Sequence, residues 1–156
     1  MLKFISHRGN LTGPEPEKEN RISTIEYVLS KGFDCEIDIR YIDNKFYLGH
    51  DDIQEEVSIK WLNQRGLWIH CKNIEALIEL QQYRYINSFW HQEDQYTLTS
   101  HGYIWVYPTE YIPRNTGKRI IANCANVMVN DGRYAGYCSD YIKDLKEEFN
   151  VLYSDV

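Results

Sequence analysis

Five segments of this chain place a proton-transferring, anionic or cationic side chain within or just after an apolar, strand-like run. His7 and Arg8 follow residues 2–6. Glu36 and Asp38 stand two apart within residues 33–41, and His50 and Asp51 follow residues 45–48. His70 and Lys72 fall at the end of residues 67–71, and His91 follows residues 85–90. Residues i and i+2 of a strand project to the same side, roughly 6–7 Å apart. Glu36 and Asp38 can therefore share one divalent ion through oxygen ligands. Two imidazoles on either side of such an ion can give and take protons near neutral pH. Arg8 and Lys72 add positive charge. A metal, two imidazoles and two cationic side chains together suit an anionic substrate, above all a phosphate ester.

Each feature alone has an ordinary structural reading. A histidine near a strand end is commonly just hydrogen-bonded, a Glu-x-Asp pair commonly lies on the solvated face of an edge strand, and a single lysine is commonly a surface charge. The combination argues otherwise, because the strand carrying Glu36 and Asp38 reads as central. Two carboxylates on an interior face need a cation, since burying them unpaired is very costly.

These side chains need a framework that gathers strand ends. Residues 33–41 alternate, with Phe33, Cys35, Ile37 and Ile39 on one face and Asp34, Glu36, Asp38 and Arg40 on the other. Asp43-Asn44 makes a turn and residues 45–48 return as a strand. Ile22, Ile25, Val28 and Leu29 follow helical spacing after Asn20, a candidate N-cap, and Lys31-Gly32 ends that helix. Residues 57–62 read as a short helix. Asn73 caps a helix bearing Ile74, Leu77, Ile78 and Leu80. Residues 85–90, 103–107 and 127–129 read as further strands, and a last helix carries Ile142, Leu145 and Phe149. Strands alternating with helices imply βα units in a largely parallel sheet or barrel, with chemistry where strand ends converge.

At 156 residues the chain is the size of one domain, taken here as residues 1–156. A net charge of -6 gives no general electrostatic reason to bind nucleic acid or an anionic membrane. No apolar run reaches the roughly 18–20 residues of a membrane span. The start, MLKFISHRGN, has no secretory hydrophobic region, so a cytoplasmic location is expected. Cys35, Cys71, Cys124 and Cys138 form no CxxC pair and read as structural thiols.

His7-Arg8-Gly9, Glu19-Asn20 with Ser23-Thr24, Glu36-Ile37-Asp38 and Gly49-His50-Asp51 resemble, in order and spacing, the signature of the glycerophosphodiester phosphodiesterase family over residues 4–52. Later matches are weaker: His70-Cys71-Lys72 where that family has ExK, then Asn87-Ser88-Phe89, the run from Ile104 to Tyr107, and Cys138-Ser139-Asp140. The resemblance implies an α/β fold, a TIM-type (β/α) barrel of mostly parallel strands. At this length it would be shrunken or incomplete, with several helices reduced to loops, since a full barrel takes about 250 residues. Dimerisation, or aromatics such as Trp90, Tyr96 and Tyr103, would then cover the outer wall.

The resemblance also implies metal-dependent hydrolysis of a small phosphodiester through a cyclic phosphate. His7 and His50 would be the acid–base pair, Arg8 and Lys72 the phosphate contacts, and Glu36 and Asp38 metal ligands, while Glu19 would brace the His7-Arg8 loop. His70 stands where the family has its third metal carboxylate. The family's ion is Mg²⁺ or Ca²⁺, whereas ligation by His70 would favour Mn²⁺ or Zn²⁺. Other readings are a phosphodiesterase acting on a nucleotide or polymer, and a non-catalytic phosphate-ligand-binding barrel. His91 follows a strand end and could line the site. His101 reads as a surface loop residue.

Overall fold

Ten strands and four helices make up the described part of the chain, which in this computed structural model comprises residues 2–106, 118–121 and 134–153. In order they are β1 (Lys3–His7), α1 (Ile22–Ser30), β2 (Asp34–Ile42), β3 (Lys45–Leu48), β4 (Glu56–Val57), α2 (Ile59–Leu62) and β5 (Leu67–Cys71). There follow α3 (Ile74–Leu80), β6 (Ser88–Trp90), β7 (Tyr96–Leu98), β8 (Ile104–Val106), β9 (Arg119–Ile121), β10 (Gly136–Ser139) and α4 (Ile142–Tyr153). The strand read at 127–129, the residue Tyr107 and Cys124 lie outside the described residues.

The strands form one mixed sheet, which corrects the expectation of a TIM-type barrel. Its parallel part runs β6-β5-β2-β1-β10-β9-β8. β3 pairs antiparallel with β2, β4 with β3, and β7 with β8. Among the described residues no ladder joins β6 to β7 or β8. A bond from Ser100 N to Ser88 O (2.8 Å) links those branches instead. The physical reason for the difference lies in the connections. Asp43 and Asn44 both have positive φ (49° and 61°), the two-residue turn that folds a strand straight back on itself. The chain after β2 therefore makes a hairpin where a barrel unit needs a crossover helix. α2 is a single turn, too short to serve as one.

β2 is the centre of the sheet, paired to β1, β3 and β5. Its alternation is the expected one. Cys35, Ile37 and Ile39 belong to the larger apolar cluster, with Ile25 and Val28 of α1, Ala76 and Leu80 of α3, and Ile142 and Leu145 of α4. The opposite face holds a smaller cluster of Ile5, Trp68, Phe89, Trp105, Ile120 and Cys138. Two residues further along the chain from Ile5, Trp68 and Phe89 stand His7, which ends β1, His70 of β5, and His91, just past the end of β6. The polar site thus rests on an aromatic floor. Cys35, Cys71 and Cys138 are buried.

α1 begins as expected but is not capped by Asn20. Its N-cap is Arg21, and Glu55 accepts from Ile22 N at 2.7 Å. Asn20 has φ 54° and turns its side chain toward β2 instead. Asn73 does cap α3, accepting from Ala76 N, and also bonds both backbone groups of Tyr41.

Candidate metal centre

Glu36, Asp38 and His70 converge because β2 and β5 run parallel with Asp38 opposite His70. One ligand atom from each lies within 4.8 Å of the others. The two carboxylates are 2% and 0% exposed. His70 Nδ1 is 3.3 Å from Asp38 Oδ1 and 3.5 Å from Glu36 Oε1. Its Nε2 is 2.9 Å from the His91 carbonyl, an acceptor, so that nitrogen carries a proton. The ring stacks on Phe89 with centroids 5.0 Å apart and planes within 9°.

In a neutral His70 the lone pair of Nδ1 therefore faces carboxylate oxygens, an arrangement that calls for a cation between them. A proton can fill that role. Burial disfavours the imidazolium, but the hydrogen bonds and charges of Asp38 and Glu36 prevail and raise the pKa to about 9. Burial likewise works against the Asp38 carboxylate, yet His70 and Arg8 hold its pKa well below the usual range. A divalent ion also fits. Among the described residues, buried Glu36 Oε2 makes no hydrogen bond, which is costly unless a cation satisfies it, and Asp38 Oδ1 is faced only by His70 at 3.3 Å and Lys72 at 4.0 Å.

Asp38 is held from the other side by Asn20, whose Nδ2 donates to Oδ2 and whose Oδ1 accepts from Asp38 N, both at 2.9 Å. Arg8 Nε lies 3.0 Å from Oδ2, and Lys72 Nζ lies 4.0 Å from Oδ1. Arg8 has φ 54°, an uncommon backbone state for a side chain of its size. Gly9 beside it has φ 98°, and a Cβ there would meet Thr24 Cγ2 at 2.8 Å. Glu19 braces the loop as expected, 3.3 Å from Arg8 and accepting from Asn10 Nδ2 at 2.8 Å.

His7 ends β1 opposite Glu36. Its Nδ1 donates to Asp140 Oδ1 at 2.8 Å, which turns Nε2 to within 4.0 Å of Glu36 Oε2. Burial opposes protonation of His7, but the Asp140 hydrogen bond and the Glu36 charge raise its pKa. Burial opposes the Asp140 carboxylate too, and His7 nonetheless lowers its pKa. The pair's contribution to stability is thus complete between the ordinary values of the two groups, 3.8 for Asp140 and 6.5 for His7. It fades as pH rises through the raised His7 pKa and as pH falls through the depressed Asp140 pKa. Denaturant titrations of metal-free protein should show Asp140→Asn destabilised near neutral pH, with the gap to wild type closing at both extremes.

His50 sits after β3 on a loop tied by Gly49 N to Asp38 O (3.1 Å) and by Arg40 to the His50 carbonyl (2.7 Å). A side chain at Gly49 would strike the Asp52 carbonyl at 1.9 Å. The His50 ring is partly exposed, with Nδ1 at 2.9 Å from Asp51. His7, Arg8, Glu36, His50, His70 and Lys72 all line one notch of about 280 Å³, together with Trp90 and His91. Larger clefts exist, but the one of about 930 Å³ opens at the starting ends of β1, β2 and β5 and shares none of these residues. Every expected site residue therefore belongs to one network or one cavity. His91 does line the notch; burial, then the charge of His70, lowers its pKa. His101 is exposed, with its ring on the Arg84 carbonyl. Asn10, Asn20 and Asp140 were not expected as site residues. The signals in the sequence are that Asn20 and Asp140 fall within the motif matches Glu19-Asn20 and Cys138-Ser139-Asp140, and that Asp140 follows an apolar run, as His7 does.

No protein-family model, curated protein or solved structure matches this chain.

Proposed function

We propose that this chain is a metal-dependent phosphodiester hydrolase of the glycerophosphodiesterase type, acting on a small glycerophosphodiester. The observation that carries the reading is the convergence of two buried carboxylates and an imidazole beside a second imidazole, His7, already oriented by a carboxylate. Glu36, Asp38 and His70 would hold one divalent ion, which when bound supplies Lewis-acid polarisation of a phosphoryl oxygen. Arg8 and Lys72 draw the phosphate into the notch and offset its charge. One imidazole of the His7–His50 pair takes the proton of a substrate hydroxyl as that oxygen attacks phosphorus, and the other protonates the departing alcohol. Water then opens the cyclic phosphate with the two roles exchanged. Asp140 keeps the Nε2 of His7 turned inward.

Hydrolysis of a glycerophosphodiester panel with Mg²⁺, Ca²⁺, Mn²⁺ or Zn²⁺ tests this. The expected result is turnover that chelation abolishes and metal restores. A second reading has one observation behind it. Arg8 and Lys72 already set positive charge against Asp38, as in a site that binds a phosphorylated ligand without cleaving it. Folded protein that turns over no panel member with any ion would favour that reading.

A further inference from the structure

Resting on the metal-dependent reading above, we propose that His70 ligates through Nδ1 and makes this a centre for a first-row transition ion such as Mn²⁺, Co²⁺ or Zn²⁺. Mg²⁺ and Ca²⁺ are hard cations that favour all-oxygen sets, whereas imidazole suits the softer ions. Three independent features hold His70 in a ligand's posture. Its Nε2–H is committed to the His91 carbonyl at 2.9 Å, which fixes the tautomer and leaves Nδ1 as the donor atom. Its ring plane is set by Phe89. Its Nδ1 points at oxygens of Asp38 and Glu36, at 3.3 Å and 3.5 Å, and Glu36 Oε2 of that buried carboxylate pair makes no hydrogen bond among the described residues. Replacing the ring by a carboxylate would put a third negative charge on this floor of Phe89 and Trp105, and the set would then suit a harder ion.

Pulsed EPR of Mn²⁺-loaded protein, with natural-abundance and ¹⁵N-labelled histidine, reads nitrogen ligation directly. Titration calorimetry with Zn²⁺, Co²⁺, Mg²⁺ and Ca²⁺ reads selectivity. The expected result is nitrogen coupling in the wild type and in His7→Ala, absent in His70→Glu. The His70→Glu change should also weaken Zn²⁺ and Co²⁺ by at least the roughly 10–100-fold typical of losing a partner one shell out, while Mg²⁺ or Ca²⁺ binding is kept or improved. The wild type and His7→Ala decide the matter even if His70→Glu does not fold. Ion binding without nitrogen coupling, or coupling lost in His7→Ala, overturns this inference and removes His70 from the ligand set, while the hydrolase reading stands on Glu36 and Asp38. Failure of any ion to bind overturns both.

Discussion

Replacing His7 by alanine is expected to lower turnover of a glycerophosphodiester by roughly 10²–10⁴-fold, the span typical of losing a general acid or base. The fold should survive the change. His7 is the last residue of β1, its ring is partly exposed, and its hydrogen bond goes to Asp140, while Ile5 anchors the same strand in the smaller core. His50→Ala should give a loss of similar size, since the two rings exchange the roles of acid and base between steps. Each variant should also erase one limb of the pH–rate profile, which a purely structural role would not do. Measured rates on folded protein decide the point: near-wild-type turnover in either variant means that the two-imidazole chemistry is wrong.

The second large effect concerns Asp38. Asp38→Ala removes one of the two carboxylate partners of Arg8, strips Asn20 of its acceptor and leaves His70 facing Glu36 alone. Asp38 has no exposed surface, and breaking a buried ion pair from one side costs about 3–5 kcal/mol. Urea denaturation should report a loss of that order in metal-free protein. In wild type, added ion should raise the midpoint because it binds only the folded state, and in Asp38→Ala that increment should vanish. A variant within about 0.5 kcal/mol of wild type would instead fit an ordinary surface site.

Much of this was legible because strand periodicity is exact. With side chains alternating, residues 34–40 could place Glu36 and Asp38 on one face and Ile37 and Ile39 on the other without knowledge of any neighbour. The ends of apolar runs likewise marked His7, His50 and His70. Asn73 behaves as local rules require because its helix starts beside it. Asn20 shows where local rules stop. An asparagine ahead of a helix reads as a cap, but a buried carboxylate two elements away makes a stronger claim on its amide. Asp140 lies 133 positions from His7, and no spacing along the chain connects them. The sheet departs from the expected barrel for a related reason. The turn at Asp43-Asn44 is local and legible, but strands alternating with helices imply crossover units, and nothing in the spacing shows that this hairpin reverses the chain beside the central strand. Edge strands such as Tyr96–Leu98, short and half exposed, carry almost no alternation to read.

β1 lies between β2, which follows it closely, and β10, which comes near the far end of the chain. Folding therefore leaves one edge of β1 bare until the last strand arrives. Pairings so distant in sequence form slowly, and bare edges recruit strands from other molecules. The carboxylate that aims His7 comes in with that strand. A half-folded chain consequently carries an unaimed imidazole, and any chemistry that depends on His7 doubles as a report that the two distant edges have found each other.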